Sequence, residues 1–373
     1  MEYCLKGCKN IIIPKSKFLV LMEEPIMENE IRVVLFGLGP MGRLIAKGVL
    51  EKKGIRVVGA VDIAKELVGK DLGEILELGR NLGVTVTDNA EQLLSRIKAD
   101  IAIIATRSYL KDVYPTISLC IKAGINVIST CEELSYPYYK HPELATEIDE
   151  LAKRYGVTVL GTGINPGYLM DTLPITLTGA CQRVNSIKVV RMMNSSKRRI
   201  PYQKKIGTGL SPEEFRRMID EKKITGHVGL VESIAMIAAA LGWKLDEIKE
   251  FPPEPVIADK EVVTSYTTVK PGQVAGLKSV AHGIKNGKPV IILEFVSHAA
   301  VEEEYDAVSI EGAPKIYEKI AGGVHGDLGT VAVIVNMIPK VLNARPGLVT
   351  MKDLPLPSAV TEDMRTYLSW RKP

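Results

Sequence analysis

Residues 31–62 read IRVVLFGLGPMGRLIAKGVLEKKGIRVVGAVD, and the organisation of the chain follows from them. IRVVLF is a nearly uninterrupted apolar, β-branched run that stops at glycines, as a strand buried on both faces does. PMGRLIAKGVLEKKG opens with Pro at the first helical position and carries its apolar residues at helical spacing. IRVVGAV is a second buried-strand run, closed by Asp62. Strand, helix and strand of this kind form a βαβ unit, whose two strands are parallel.

Gly37, Gly39 and Gly42 form G-x-G-x-x-G at the strand-to-helix turn, with Pro40 and Met41 between the last two. Such a triplet alone says little. Here it follows a strand, opens a helix, and has an acid, Asp62, about 20 residues on, which is the full context of a dinucleotide-binding fingerprint. Gly37 allows the tight turn, Gly39 a close backbone approach to a pyrophosphate, and Gly42 tight helix–strand packing. The helix start offers N–H groups and a positive dipole end to phosphate. Asp62 is placed to accept hydrogen bonds from ribose hydroxyls and so favours NAD, while Lys65 is close enough to offset its charge toward a 2′-phosphate. The expected cofactor is NAD or NADP.

The cycle continues through VTVTD (84–88), AEQLLSRI (90–97), ADIAIIAT (99–106), a helix ending at Ala123-Gly124, INVIST (125–130), ELATEIDELAKRYG (143–156) and VTVLGTG (157–163). Alternating strands and helices specify a doubly wound parallel sheet of the Rossmann type. Thr106 and Arg107 stand just past a strand end, at the edge where cofactor and substrate gather. After Gly167 the pattern changes. SIKVVRMMN, SYTTVK, VAGLKSVAHGI and KPVIILEFVSHAAV are strand-rich, and Asn286-Gly287 between the last two is a hairpin turn signal. With the helical stretches SPEEFRRMIDEKK and GLVESIAMIAAALG among them, this half reads as α+β with an open, largely antiparallel sheet. Such a sheet is a common site of subunit pairing, so a homodimer is expected. The expected organisation is a leader over 1–30, a dinucleotide-binding domain over 31–165, a substrate and dimerisation domain over 166–322, and a C-terminal helix and tail over 323–373 that return to the first domain.

Composition narrows the field. The 373 residues carry 48 Lys and Arg against 44 Asp and Glu, a net charge of +4 that makes no case for nucleic acid or membrane surface. At 46% hydrophobic and 25% charged the chain is of globular composition. No apolar run approaches the ~18 residues of a membrane span. Cys4, Cys8, Cys120, Cys131 and Cys181 are odd in number and scattered, as reduced thiols of a cytoplasmic protein are. The leader lacks a signal-peptide core, and Cys4 and Cys8 lack the two further ligands a metal needs. Translation is expected to start at Met22 or Met27, leaving residues 1–30 non-native or a frayed arm. His141, His227, His282, His298 and His325 form no H-E-x-x-H or other ligand spacing, so no metal is expected.

Two segments look chemical. CEELSYPYYKHP (131–142) begins where a strand ends at the cofactor edge. A carboxylate in a partly dry cleft beside a nicotinamide has its pKa raised and serves as general base. Glu132 and Glu133 are adjacent, so one of them faces the cleft. In RMMNSSKRRIPYQKKIGTG (191–209), Arg191 and Asn194 are candidates for a substrate carboxylate, and the run of Lys and Arg rims an anionic site.

Taken together, GLGPMG (37–42), VISTCEELSYP (127–137), GTGINPG (161–167), RMMNSSKRRIPYQKKIG (191–207), GHVGLVES (226–233) and AGGVHGDLGTVA…VNMIPKV…ARPGLVTMKDLP (321–355) resemble the 2,4-diaminopentanoate dehydrogenases and the related native amine dehydrogenases. The resemblance covers about residues 31–356. The chain departs from dihydrodipicolinate reductases, which share the N-terminal domain, in lacking their paired-His motif with a downstream Lys, and from homoserine dehydrogenases in lacking N-G-T-T-N. The resemblance implies reversible NAD(P)-dependent oxidative deamination, 2,4-diaminopentanoate giving 2-amino-4-oxopentanoate and ammonia. It implies a base at Glu133, with Glu132 in reserve, and substrate contacts at Asn165, Arg191, Asn194 and His298. Two other readings stand beside it: an imine reductase of the dihydrodipicolinate reductase type, and a dinucleotide sensor without turnover.

Overall fold

The structure, a computed structural model, describes residues 30–369. The expectations for the leader, with its start sites and Cys4 and Cys8, lie outside the described residues. The first half runs β1 (Ile31–Phe36), α1 (Pro40–Leu50), β2 (Ile55–Val61), α2 (Leu72–Ile75), β3 (Val86–Thr87), α3 (Ala90–Arg96), β4 (Ile101–Ile104), α4 (Leu110–Lys122), β5 (Asn126–Ser129), α5 (Pro142–Tyr155) and β6 (Thr158–Gly161). The second runs α6 (Thr172–Thr178), β7 (Arg183–Asn194), α7 (Ile200–Lys205), α8 (Pro212–Asp220), α9 (Leu230–Ala240), β8 (Glu247–Glu250), β9 (Glu254–Ile257), β10 (Val262–Val263), β11 (Thr268–Val269), β12 (Val274–Lys285), β13 (Lys288–His298), β14 (Tyr305–Ala313) and β15 (Ile316–Ala321). It ends in α10 (Gly326–Leu342) and β16 (Gly347–Val349).

The first sheet has the order β16-β6-β5-β4-β1-β2-β3, parallel throughout. Its strands are buried on both faces because their side chains alternate between two cores. Ile31, Val33 and Leu35 of β1 join the core that includes Ile45 and Val49 of α1 and Val335 of α10, while Val34 and Phe36 join that of Val113 and Ile117 of α4 and Ile148 of α5. Helix α10 lies so close to α1 that a side chain at Gly48 would meet Val331 at 2.4 Å. β16 is absent from the sequence reading: three residues after a helix carry too little period to announce a strand.

The second sheet has the order β15-β14-β7-β13-β12-β8, with β9 also on β12. All its pairs are antiparallel except β7 with β13, so the sheet is mixed. The parallel pair arises because the chain leaves β7 and returns to β13 by way of the helical segments α7–α9 and the β12 hairpin. That hairpin turns at Asn286 and Gly287, both at positive φ (53° and 70°), as a two-residue turn between twisted strands requires. Of SYTTVK only Thr268–Val269 is strand. Helix α9, buried from Leu230 to Ala238, lies against β12 and β13 and brings the second sheet's core up to the first. Among the described residues, no helix is long and apolar enough to cross a membrane.

Candidate active site

The carboxyl ends of β1, β4, β5 and β6 meet at the central edge of the first sheet, where α/β sheets bind ligands. Gly37 has φ +88°, and a Cβ there would stand 2.5 Å from the Ala105 carbonyl oxygen, so only glycine fits. A Cβ on Gly42 would stand 1.9 Å from the Gly37 carbonyl oxygen. Gly39 has nothing within 4 Å of that position: its backbone faces open space at the start of α1. Asp62 accepts hydrogen bonds from the Leu38 N–H (2.5 Å) and the Ala64 N–H (2.9 Å), which fixes its carboxylate beside the turn.

A cavity of about 240 Å³ opens along this edge, lined by Met41 from α1, the Ala105–Ser108 turn, Thr130 and Glu132, the Thr162–Pro166 loop, and Thr330 of α10. Of the expected residues, Met41, Thr106, Arg107, Glu132 and Asn165 are brought together here. Burial pushes the Glu132 carboxyl above its usual value, while hydrogen bonding, the Ser108 side chain included, and the Lys205 ammonium pull against the shift. On the same cavity, Asn165 uses Oδ1 to accept the Met170 N–H (3.1 Å), leaving its Nδ2 buried without a partner among the described residues. The Thr162 Oγ1 is likewise buried and unpartnered. Both atoms belong to residues that line the cavity, and a buried polar atom without a partner is uncommon in a folded protein.

Glu133 points the other way. It is 7% exposed, and its Oε2 accepts the Leu110 N–H (2.9 Å) and lies 2.8 Å from His141 Nε2. It therefore ties the 3₁₀ helix Glu132–Ser135 to the starts of α4 and α5. Cys131, before it, is no nucleophile: burial pushes its thiol up to about 12.

The structure places the remaining expected substrate contacts outside this cavity. Arg191 is 1% exposed, pairs with Asp306 (3.2 Å), and donates from Nη2 to the Val324 carbonyl (2.6 Å), while Asp306 accepts the Val324 N–H (2.8 Å). The pair clamps the loop that leads into α10. Asn194 donates to the Val301 carbonyl (2.9 Å) and accepts the Ser196 N–H (2.8 Å). His298 accepts the Ala300 N–H at Nδ1 (3.2 Å), and burial holds its pKa below the ordinary value. None of the three lines the cavity. Each sits on a strand beside a basic or apolar run, which looks the same in sequence whether its side chain faces a ligand or the interior. Thr162 and Thr330 do line it, and no local pattern marks either.

These residues fit a dinucleotide: an open glycine turn at a helix start for the phosphates, a fixed acid at the end of β2, and orphaned polar atoms at the far end of the cleft. Fold and site define a dehydrogenase that takes a nicotinamide cofactor. The dihydrodipicolinate reductase N-terminal domain family matches residues 31–159, and the 2,4-diaminopentanoate dehydrogenase C-terminal domain family matches residues 168–370. A 2,4-diaminopentanoate dehydrogenase of Acetoanaerobium sticklandii is 38% identical over 346 residues, covering 91% of this chain and 98% of its own. An amine dehydrogenase of Streptomyces virginiae is 26% identical, covering 88% and 98%. The solved amine dehydrogenase of Mycobacterium smegmatis superposes with a TM-score of 0.78 at 29% identity, covering 90% of this chain and 99% of that one. The chain belongs to the 2,4-diaminopentanoate dehydrogenase family.

Proposed function

We propose that this protein is an NAD(P)-dependent amine dehydrogenase that deaminates 2,4-diaminopentanoate at C4, giving 2-amino-4-oxopentanoate and ammonium. In the balanced reaction the ammonium substrate, NAD(P)⁺ and water give the ketone, ammonium, NAD(P)H and a proton. The observation that carries this reading is Glu132: a half-buried carboxylate with a raised pKa on the wall of the cleft, in a chain that matches 98% of the length of a 2,4-diaminopentanoate dehydrogenase. When bound, the nicotinamide accepts the hydride, or returns it in the reverse direction.

The protein's residues do the rest. An ammonium nitrogen has no lone pair to drive hydride departure, so Glu132 first takes a proton from it and passes that proton to solvent, which returns the side chain to its ionised form. As the iminium forms on the substrate carbon, the same carboxylate faces the new positive charge in a site of low dielectric and stabilises it. Glu132 then removes a proton from the attacking water and returns it to the nitrogen of the carbinolamine; the C–N bond breaks as the C=O bond forms, and the hydroxyl proton leaves with the nitrogen as ammonium. Gly37, Gly39 and Gly42, with the start of α1 and Pro40 and Met41, would hold the pyrophosphate. Asp62 would meet the adenosine ribose, Thr106 and Arg107 would flank the cofactor at the end of β4, and Thr162 and Asn165 would meet the ligands in the cleft. Pairing through the second sheet makes the enzyme a homodimer. The test is NAD(P)H absorbance with 2,4-diaminopentanoate, and with the ketone plus ammonium in reverse. No change with either cofactor in either direction would overturn the reading.

A further inference from the structure

Helix α9 is apolar over its buried length except for Glu232 and Ser233. Glu232 is 1% exposed, and among the described residues neither of its carboxylate oxygens has a hydrogen-bond donor in good geometry. Its cation is Lys140, 3.0 Å from Oε1. A buried carboxylate with one ion-pair partner costs desolvation free energy that an apolar residue at the same place would not, so this pair is a poor device for stability alone. Its position suggests another role. Lys140 ends the segment that begins with Glu132, and Glu232 belongs to a helix packed on the second sheet.

The contacts around it form a frame for the cleft. At the other end of the same segment, Glu133 is held by Leu110 and His141 within the first sheet's layer. The neighbour of Lys140, Tyr139, accepts the Ile248 N–H with its hydroxyl (3.3 Å), a second tie to the second half of the chain. The first turn of α9 also braces the opposite wall. A Cβ at Gly229 would stand 2.5 Å from Pro166, and the Ser233 hydroxyl donates to Asp171 (2.8 Å), which accepts the Gly167 N–H (2.7 Å). One helical turn thus touches both the loop that carries Glu132 and the loop that carries Asn165.

We propose that Lys140 and Glu232 form a latch that sets the placement of Glu132 by fastening its loop to α9. Glu232 is then a positioning residue, acting through Glu132. The inference rests on the reading of Glu132 as the base. Misplacing a catalytic group by about 1 Å costs on the order of a hundredfold, so loosening the latch is expected to lower kcat by about ten- to a hundredfold.

The test is a double-mutant cycle in steady-state kinetics with 2,4-diaminopentanoate. Glu232→Gln and Lys140→Met each lower kcat and leave the KM for the dinucleotide unchanged, and Lys140→Arg, which keeps the charge, restores most of the rate. Lys140 is partly exposed, so its variants report even where a change at buried Glu232 disturbs folding. Adding Glu232→Gln to Glu132→Gln produces no further loss, because the latch has nothing left to position. An equal loss in the Glu132→Gln background, or a change confined to the dinucleotide KM, overturns the latch alone. A wild-type kcat in Glu132→Gln overturns the base assignment itself, and the latch with it.

Discussion

Glu132→Gln exchanges one carboxylate oxygen for an amide nitrogen and keeps the side chain's length. The cavity wall is preserved while the group's basicity is lost. General base catalysis is worth roughly 10²–10⁴-fold, so kcat is expected to fall at least about a hundredfold, or about 2.7 kcal/mol of barrier. The pH profile adds an independent reading. Glu132 accepts a proton only when ionised, so kcat falls as pH drops through its pKa. Burial raises that pKa, placing the acid limb above the ordinary glutamate value of about 4.3. In Glu132→Gln that limb disappears and leaves a low, flat profile.

Glu133→Gln is the matched control, and the expected result differs in kind. It removes a charged acceptor from the Leu110 N–H and from His141. Hydrogen bonds to charged groups contribute about 1.5–3 kcal/mol, and the Gln oxygen can take the place of Oε2, which meets both groups, but without its charge. The expected loss is therefore about 1–2 kcal/mol of stability, seen in urea unfolding, with a smaller loss of turnover than in Glu132→Gln. Initial rates of NAD(P)H formation across pH, with urea midpoints for each variant, separate the two residues. Near-normal turnover in Glu132→Gln beside a hundredfold loss in Glu133→Gln would refute the assignment drawn from the geometry.

Gly37→Ala forces a left-handed φ and a 2.5 Å contact with the Ala105 carbonyl oxygen, so dinucleotide affinity, followed by fluorescence titration, is expected to fall tenfold or more, for about 1–3 kcal/mol of strain. Asp62→Ser removes the charge that opposes a 2′-phosphate and is expected to raise the NADP-to-NAD ratio of kcat/KM about tenfold or more, about the worth of one charged hydrogen bond. Arg191→Met leaves Asp306 buried without its cation and is expected to cost about 3–5 kcal/mol in urea unfolding; a selective rise in amine KM with unchanged stability would instead place Arg191 at the substrate. Burial, helped by the Arg191 and Lys205 cations, holds the His227 ring well below its usual pKa, so the unfolded chain binds a proton that the folded chain does not. Stability should fall as pH drops below about 6.5, by up to about 1.4 kcal/mol per pH unit until the folded ring titrates, and His227→Phe, which keeps the stack on Phe295, should flatten that slope in urea midpoints.

The first sheet was legible because each of its longer strands is an apolar run closed by a turn signal, and the fingerprint joins one such strand to its helix. β16 was not, since a strand of three residues depends on its neighbour β6 and not on its own pattern. The mixed second sheet was legible as strands but not as an order. The β12–β13 hairpin follows from Asn286-Gly287, whereas β7 beside β13 is a long-range pairing that no local signal encodes. The glycine turn was legible because glycines needed for close backbone approach are rare and spaced. The substrate residues were less so: the direction of Arg191 depends on Asp306, 115 positions on, and that of Asn165 on Met170.

The adjacent glutamates show the boundary most clearly. A 3₁₀ helix turns once in three residues, so neighbouring side chains on it diverge by roughly 120°. Two adjacent carboxylates on such a turn cannot both face the cleft, and that much follows from sequence. Which one faces it depends on the phase of the turn, set by what holds it from outside. The Leu110 N–H and His141 capture Glu133, and capturing it rotates Glu132 onto the cavity wall. The proposed base is thus oriented by its neighbour's structural bonds, which come from the starts of two helices, at positions 110 and 141. Removing the Glu133 contacts should therefore be felt at Glu132 chiefly as a loss of placement: in Glu133→Gln kcat declines while the acid limb of the pH profile persists, moved down because the Glu133 charge helps to raise the Glu132 pKa.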